Sequence, residues 1–233
     1  MEFIFDGFIK GFSLIFNRDP EVYSIVKLSL LVSGFATVVS VVIGVPLGSL
    51  VAVKKFPGKK IFISLVNTGM GLPPVVVGLI AMLFLSRNGP LAFLGWLYTP
   101  AGMVLAQVIV ATPVVTGLSL SAMQSLDRKF YLQMLTLGAG QWKALWVCLK
   151  EVKLSILAAV IAGFGSVISE VGAVMMVGGN IKGQTRVLTT ATVLETQMGN
   201  FDNAIALGLI LVGLTFLINM ALTFIQQQKA RAE

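Results

Sequence analysis

Apolar and polar segments alternate along nearly the whole chain. A run of about 20 apolar residues is long enough to cross the hydrocarbon core of a bilayer as a helix. Charged, glycine-rich and proline-rich segments separate five runs of that length. The pattern therefore predicts five transmembrane helices, at residues 24–53, 61–85, 101–122, 154–177 and 204–225.

Residues 2–17 show a different pattern, with apolar and polar positions on opposite faces of one helix. The apolar face carries Phe5, Phe8, Ile9, Phe12 and Ile15. A segment this polar on one side does not span, so we expect an interfacial helix that lies along the membrane surface. The alternative is an ordinary surface helix packed on the protein.

The second predicted span contains two adjacent prolines, Pro73 and Pro74, in the stretch GLPPVVVGL. Proline removes a backbone donor and frees carbonyls of the preceding turn. Inside a membrane, such carbonyls must be satisfied by protein or by water in a cavity. We therefore expect a kinked helix beside a cavity or a close neighbour.

Residues 124–153 are too charged to span. Their pattern predicts two short helices joined at Gly138-Ala139-Gly140. The loop also holds more apolar residues than a solvated loop needs, among them Trp142 and Trp146. It could offer a short helix to a groove in a partner protein, or it could pack on the membrane surface or under the spans. The residues alone favour neither.

The cations are distributed unequally between the two sides of the membrane that five spans define. Eleven of the 17 lysines and arginines fall in the loop at 54–60, the loop at 127–153 and the C-terminal tail. Loops rich in Lys and Arg stay in the cytoplasm. The N-terminus is therefore expected outside and the C-terminus in the cytoplasm.

Composition narrows the class further. The chain has 233 residues, of which 56% are hydrophobic and 12% charged. A soluble domain is about 25% charged, so we expect an integral membrane protein with one transmembrane domain over residues 1–233. No histidine and one cysteine are present, and no phosphate-binding glycine motif appears. We expect no catalytic site and no metal site, so any energy source is another subunit.

Glu170 is the only acidic residue within a predicted span, and Gly178-Gly179-Asn180 ends the same apolar run. A carboxylate is costly at membrane depth and usually faces a cavity or a partner. It would repel an anion, so we do not expect a direct anion ligand. We expect it to accept hydrogen bonds that hold a bent segment, or to pair with Arg186. A water-exposed helix end is the alternative.

An anion that passes this region would meet backbone N–H groups, hydroxyl groups and the cation of Arg186. The candidate hydroxyls belong to Thr185, Thr189, Thr190 and Thr192. Threonine is ordinary in a polar loop, so no single one of them identifies a site.

The stretch LTLGAGQWKALWVCLKEVKLSILAAVIAGFG resembles the cytoplasmic signature loop of ABC-importer permeases, through Leu137, Gly138, Ala139 and Trp142. It departs from that pattern in two places. The positions of the family's EAA triplet hold Leu132, Gln133 and Met134, and the position of its closing proline holds Glu151. The resemblance implies that this coupling loop, residues 124–153, contacts an ATPase through these residues.

Three further stretches resemble the oxyanion branch of these permeases, which serves tungstate, molybdate and sulfate. They are LPPVVVGL, ISEVGAVMMVGGNIKGQTRVLTTATVLET and LETQMGNFDNAIALGLIL, and the resemblance covers about residues 20–225. The second is most similar to tungstate permeases. We expect the translocation path and its gate at Pro73, Pro74, Glu170, Gly172, Asn180, Arg186, Thr189 and Thr190.

The resemblance implies an all-α integral membrane protein with the type I ABC-importer permease fold, in a prokaryotic cell (inner) membrane. It also implies a homodimer, two ABC ATPase subunits that bind ATP and Mg, and an extracytoplasmic oxyanion-binding protein. This chain itself would bind no cofactor. Tungstate is the expected anion, and molybdate is next. The alternatives are a sulfate or phosphate permease, a secondary carrier or channel without an ATPase, and a purely structural subunit.

Overall fold

The computed structural model describes Ser13 and residues 19–231. The interfacial helix expected at residues 2–17 therefore lies outside the described residues, apart from Ser13. All regular structure in the described part is helical. The α-helices are α1 (Pro20–Val53), α2 (Lys59–Met70), α3 (Pro74–Leu85), α4 (Pro100–Gln124), α5 (Arg128–Thr136), α6 (Gln141–Glu151), α7 (Lys153–Ile168), α8 (Gly172–Gly178), α9 (Leu188–Gln197) and α10 (Phe201–Arg231). A 3₁₀ turn occupies Ala92–Leu94.

Three predicted spans are continuous helices. Among the described residues, 3 helices are long and apolar enough to cross a membrane, and they are α1, α4 and α10. The number rises to 5 if each of two bent helix pairs, α2 with α3 and α6 with α7, counts as one span. Prolines inside α1 and α4 do not break them. Near Pro113 in α4, the hydroxyls of Thr112 and Thr116 donate to the carbonyls of Val108 and Thr112.

The other two predicted spans are not continuous helices. The kink expected at Pro73 and Pro74 is a bend of 100° between α2 and α3, whereas the helix of the span predicted at 154–177 ends early. The span at 61–85 stops at Met70 and restarts at Pro74. Pro74 occupies the first helical position, where its missing N–H and fixed φ favour the start of a new helix. The span at 154–177 ends at Ile168, and α8 starts at Gly172. Residues 169–171, here called the break, separate the two.

The described chain folds into two compact units. Among the described residues, the first contains Ser13 and residues 19–36, 73–107 and 167–221, and the second contains residues 37–72, 108–166 and 222–231. Because the chain passes repeatedly from one to the other, neither unit is a continuous stretch of sequence. The single domain expected for residues 1–233 stays a prediction.

In the first unit, α3 and α8 pack with their backbones in close approach. A Cβ atom added at Gly78 would lie 2.6 Å from the Cα of Ala173. One added at Gly172 would lie 2.5 Å from the Cγ2 of Val75. Small residues are what allows membrane helices to approach this closely.

Two apolar clusters of buried residues include the start of α9. One consists of Ile25, Leu188, Ala191, Leu207 and Ile210, and the other of Val32, Met103, Val174 and Val187. Ser29 in α1 accepts a hydrogen bond from the N–H of Leu188 at 2.9 Å, which anchors the start of α9 against α1.

In the second unit, α5 and α6 form the two short helices predicted for the coupling loop. Their apolar side chains Leu145 and Cys148 are buried with Met123 of α4. The pair α6 and α7 is bent by 76° at Val152. These buried contacts attach the coupling loop to the end of α4.

We expect Gly78→Ala to destabilise the protein, because the added methyl group would overlap the backbone of Ala173 and force α3 away from α8. Overpacking of this kind costs about 1–3 kcal/mol. The measurement is the midpoint of thermal unfolding in detergent. Gly34→Ala in α1 is the matched control, since nothing lies within 4 Å of a Cβ at that position. Equal midpoints for the two variants would contradict the close approach.

Candidate translocation site

The carboxylate of Glu170 lies at the break and caps α8. Glu170 is buried, with 8% of its surface exposed. Its Oε1 accepts the N–H of Ala173 at 3.0 Å, one of the donors that a helix start leaves without an intrahelical partner. A negative charge is also favourable near a helix N-terminus. The expectation of a hydrogen-bond acceptor that holds a bent segment agrees with this geometry, whereas a water-exposed helix end does not.

Arg186 does not supply the partner of Glu170. Its Nη1 lies 3.5 Å from Oε1 of Glu21 in α1, and Lys182 pairs with the same carboxylate at 2.6 Å. The structure therefore directs Arg186 toward the start of α1 instead of toward the break.

Two side chains donate to backbone carbonyls at the break and just before it, and the carbonyl of Val167 also accepts the N–H of Glu170 at 3.2 Å. Thr189, at the start of α9, donates its hydroxyl to the backbone oxygen of Glu170 at 2.9 Å. Gln107 of α4 donates its amide to the backbone oxygen of Val167 at 3.0 Å. Unpaired carbonyls are costly at membrane depth, so both contacts hold the break in its observed form.

Sequence reasoning missed Gln107. It is 3% exposed, and its Oε1 is buried without a hydrogen-bond partner among the described residues. The available signal was a polar amide in the apolar run at 101–122. A polar residue at that depth usually has a partner in the protein.

The four candidate threonines give their hydroxyl hydrogens to backbone carbonyls. Thr189 donates to Glu170, as described above. The other acceptors are Gly178 for Thr185, Val187 for Thr190 and Leu188 for Thr192. A hydroxyl has one hydrogen, so none of the four offers it to an anion in this conformation. Their role as anion ligands stays a prediction that requires a rearrangement.

The segment after α8 reverses direction through two residues with positive φ, Gly179 at 69° and Asn180 at 52°. Asn180 donates its amide to the carbonyl of Thr190 at 3.3 Å. Thr185 accepts the N–H of Ile181 at 2.9 Å, which closes the turn. Asn180 and Thr190 are thus in contact, and they hold this turn against α9.

The starts of α3 and α8 meet at the break. A Cβ at Gly172 would lie 3.2 Å from the backbone nitrogen of Val75, which directly follows Pro73 and Pro74. Four of the predicted path residues, Pro73, Pro74, Glu170 and Gly172, therefore surround one contact between two helix starts. Thr189 joins them through its bond to Glu170, and Arg186 points elsewhere.

The turn of the coupling loop exposes large apolar side chains. Leu137 is 79% exposed and Trp142 73%. Gly138 has a φ of 83°, a conformation that favours glycine, and the N–H of Ala139 bonds back to the carbonyl of Met134. Leu132 and Gln133 are also exposed, and Met134 is half-buried. Burial within the protein thus explains the apolar residues Leu145 and Cys148, but it does not explain the exposed Leu137 and Trp142.

Residues 44–231 match the family described as "Binding-protein-dependent transport system inner membrane component". The chain belongs to this family. The match covers more than half of the chain, and it makes the protein an integral permease of the inner membrane. It decides against a secondary carrier or a channel.

Several permeases of known systems are similar over nearly the full chain. The tungstate uptake system permease protein TupB of Peptoclostridium acidaminophilum is 39% identical, over 98% of this chain and 100% of that protein. The protein of the same name from Campylobacter jejuni is 36% identical, over 94% and 92%. The molybdenum transport system permease protein ModB of Escherichia coli is 29% identical, over 91% and 97%.

A solved structure shows the fold. A chain of the MetNI methionine ABC transporter, in an inward-facing conformation, superposes with a TM-score of 0.72 at 19% identity, over 90% of this chain and 98% of that one. The all-α type I importer permease fold expected from the sequence is thereby confirmed.

We expect Glu170→Gln to retain partial transport and Glu170→Ala to lose it. The glutamine oxygen can still accept the N–H of Ala173, whereas alanine leaves that buried donor unpaired at a cost of about 1–3 kcal/mol. Substrate uptake and ATPase activity of the reconstituted transporter measure both variants. Leak in both would instead identify Glu170 as an electrostatic barrier, and wild-type behaviour in both would remove any special role for it.

Proposed function

We propose that this permease is the membrane subunit of an ATP-driven importer for an inorganic oxyanion, with tungstate first and molybdate second. The observation that carries the proposal is its identity of 39% and 36% to tungstate permeases from two organisms, against 29% to a molybdenum permease. A sulfate or phosphate permease is the remaining alternative within the same class.

The proposed assembly contains two copies of this chain, two ABC ATPase subunits in the cytoplasm and an extracytoplasmic binding protein. ATP and Mg would be bound by the ATPases, and this chain would bind no cofactor and catalyse no reaction. The excess of cations in the loops at 54–60 and 127–153 supports an external N-terminus and a cytoplasmic C-terminus.

Transport would proceed by alternating access. Closure of the ATPases on ATP would move the coupling loops, and each loop is joined directly to α7 at Val152. Helix α7 spans about 24 Å at the usual rise per residue and ends at the break, so it links the coupling loop to the contact between α3 and α8. Movement of α7 would then open that contact to the outside.

The anion can be tested with the permease and its ATPase reconstituted in proteoliposomes with the cognate binding protein. We expect tungstate-loaded binding protein to stimulate ATP hydrolysis and tungstate uptake, molybdate to do so more weakly, and sulfate and phosphate to have no effect. Stimulation by sulfate or phosphate alone would replace the proposed substrate. A binding protein loaded with no anion is the control.

We expect Leu137→Asp to abolish co-purification of the ATPase and to abolish transport, while the permease still inserts and dimerises. A charge at this exposed apolar position removes the anchor of a helix-in-groove contact. Gly138→Pro should act in the same way, because proline cannot adopt the φ of 83° at that turn. Phe93→Asp is the matched control, since Phe93 is 80% exposed and lies outside the coupling loop. Normal co-purification with Leu137→Asp would contradict this role.

A further inference from the structure

A cleft of about 330 Å³ in the first unit has no assigned role. It lies at the start of α1, and its charged lining consists of Asp19, Glu21, Lys182, Arg186 and Glu195. We call it the outer cleft. Helix α1 is about 50 Å long, more than a bilayer core, so its start and the lysine-rich loop that follows its end lie on opposite sides of the membrane. In the proposed orientation the outer cleft faces the outside.

Three carboxylates and two cations line the cleft, so its summed charge is −1. Both cations share one carboxylate, because Lys182 and Arg186 each pair with Glu21. Asp19 accepts the N–H groups of Glu21 and Val22 and thereby caps α1. The arrangement is unsuited to a free oxyanion, which the carboxylates would repel.

Among the three carboxylates of the cleft, Glu195 is the one that neither pairs with Lys182 or Arg186 nor caps α1. Its Oε2 accepts the side-chain amides of Asn200 and Asn203 at 3.0 and 3.2 Å. Both donors are neutral, so they orient the carboxylate without cancelling its charge. The amides hold one oxygen, which fixes the group at the wall of the cleft.

Exposed apolar side chains lie close to Glu195 along the chain. Met198 is 62% exposed and Phe201 49%. Gly199, with a φ of 78°, makes the turn that separates α9 from α10 at this point. A charged pocket beside methionine and an aromatic residue is the composition of a protein-binding surface rather than of a lipid-facing one.

We propose that the outer cleft is a docking site for the extracytoplasmic binding protein and that Glu195 receives a lysine or arginine side chain of that protein. The proposal rests on the proposed function, in which a soluble binding protein delivers the anion to this side of the membrane. Charge complementarity identifies the partner's chemistry, since a net negative cleft favours a basic side chain. The described residues contain no group of His, Cys, Asp and Glu that could hold a metal ion there.

The test measures the affinity of the tungstate-loaded binding protein for the permease–ATPase complex in nanodiscs by biolayer interferometry. We expect Glu195→Gln to weaken binding about fivefold and Glu195→Lys at least about tenfold, mainly through a slower association rate. Glutamine retains an oxygen that can accept the amides of Asn200 and Asn203, so this variant removes charge without removing the local hydrogen bonds. Asp202→Asn, an acid-to-amide change outside the lining of the cleft, is the matched control and should leave the affinity unchanged.

A second measurement does not depend on any variant. Binding to the wild-type complex should weaken as ionic strength rises from about 50 to 300 mM, because exposed charge pairs are screened. Wild-type affinity in both Glu195 variants, or binding independent of salt, would overturn the proposal. If the wild-type complex binds no binding protein at all, the proposed function fails instead, so the two failures are distinguishable.

Discussion

The arrangement of the first unit depends on one constraint, which is that backbone polar groups at membrane depth must find partners inside the protein. Between Ile168 and Gly172 the helical ladder stops, and carbonyls that would be paired in a helix are left open. Thr189 donates to the carbonyl of Glu170, Gln107 adds a second donor to the carbonyl of Val167, which also accepts the N–H of Glu170, and the carboxylate of Glu170 satisfies a donor at the start of α8. These three contacts join α4, α7, α8 and α9, so the break is a junction of four helices rather than a defect in one.

Glycine makes the junction compact. Because Gly78 and Gly172 have no side chains, α3 can lie against α8 at backbone distance. A helix that begins with proline and a helix capped by a buried carboxylate thus start side by side. Gly78 and Gly172 allow the close packing of α3 on α8, and the carboxylate of Glu170 accepts the N–H of Ala173. Each residue type at the break therefore has a structural role.

The sequence predicted the features that depend on local composition. Helices α1, α4 and α10 follow from long uncharged runs, and α5 and α6 follow from a charged segment divided by Gly138-Ala139-Gly140. It predicted a bent segment held by Glu170 but not that one helix ends at Ile168 and another starts at Gly172, because residues 154–177 remain largely apolar there and hydropathy cannot tell one helix from two. Nor did it predict that Gln107 bonds to Val167, a contact between residues 60 positions apart. The acceptor role of Glu170 was predicted because the cost of a buried charge limits the alternatives, whereas the pairing of Arg186 with Glu21 required the tertiary fold.

The hydrogen bonds of the threonine hydroxyls near the break affect how this permease could discriminate among anions. Selectivity requires donors whose geometry favours one anion over another. Here the hydroxyls of Thr185, Thr189 and Thr190 already donate to backbone carbonyls. The half-buried Arg186 near them pairs with Glu21 through its Nη1, and its Nε has no hydrogen-bond partner among the described residues. Tungstate and molybdate differ little in size and charge, so a path whose hydroxyl hydrogens are already engaged would separate them poorly. Selection would then fall to the protein that captures the anion before it reaches the membrane, and the permease would need only to recognise that protein and to open.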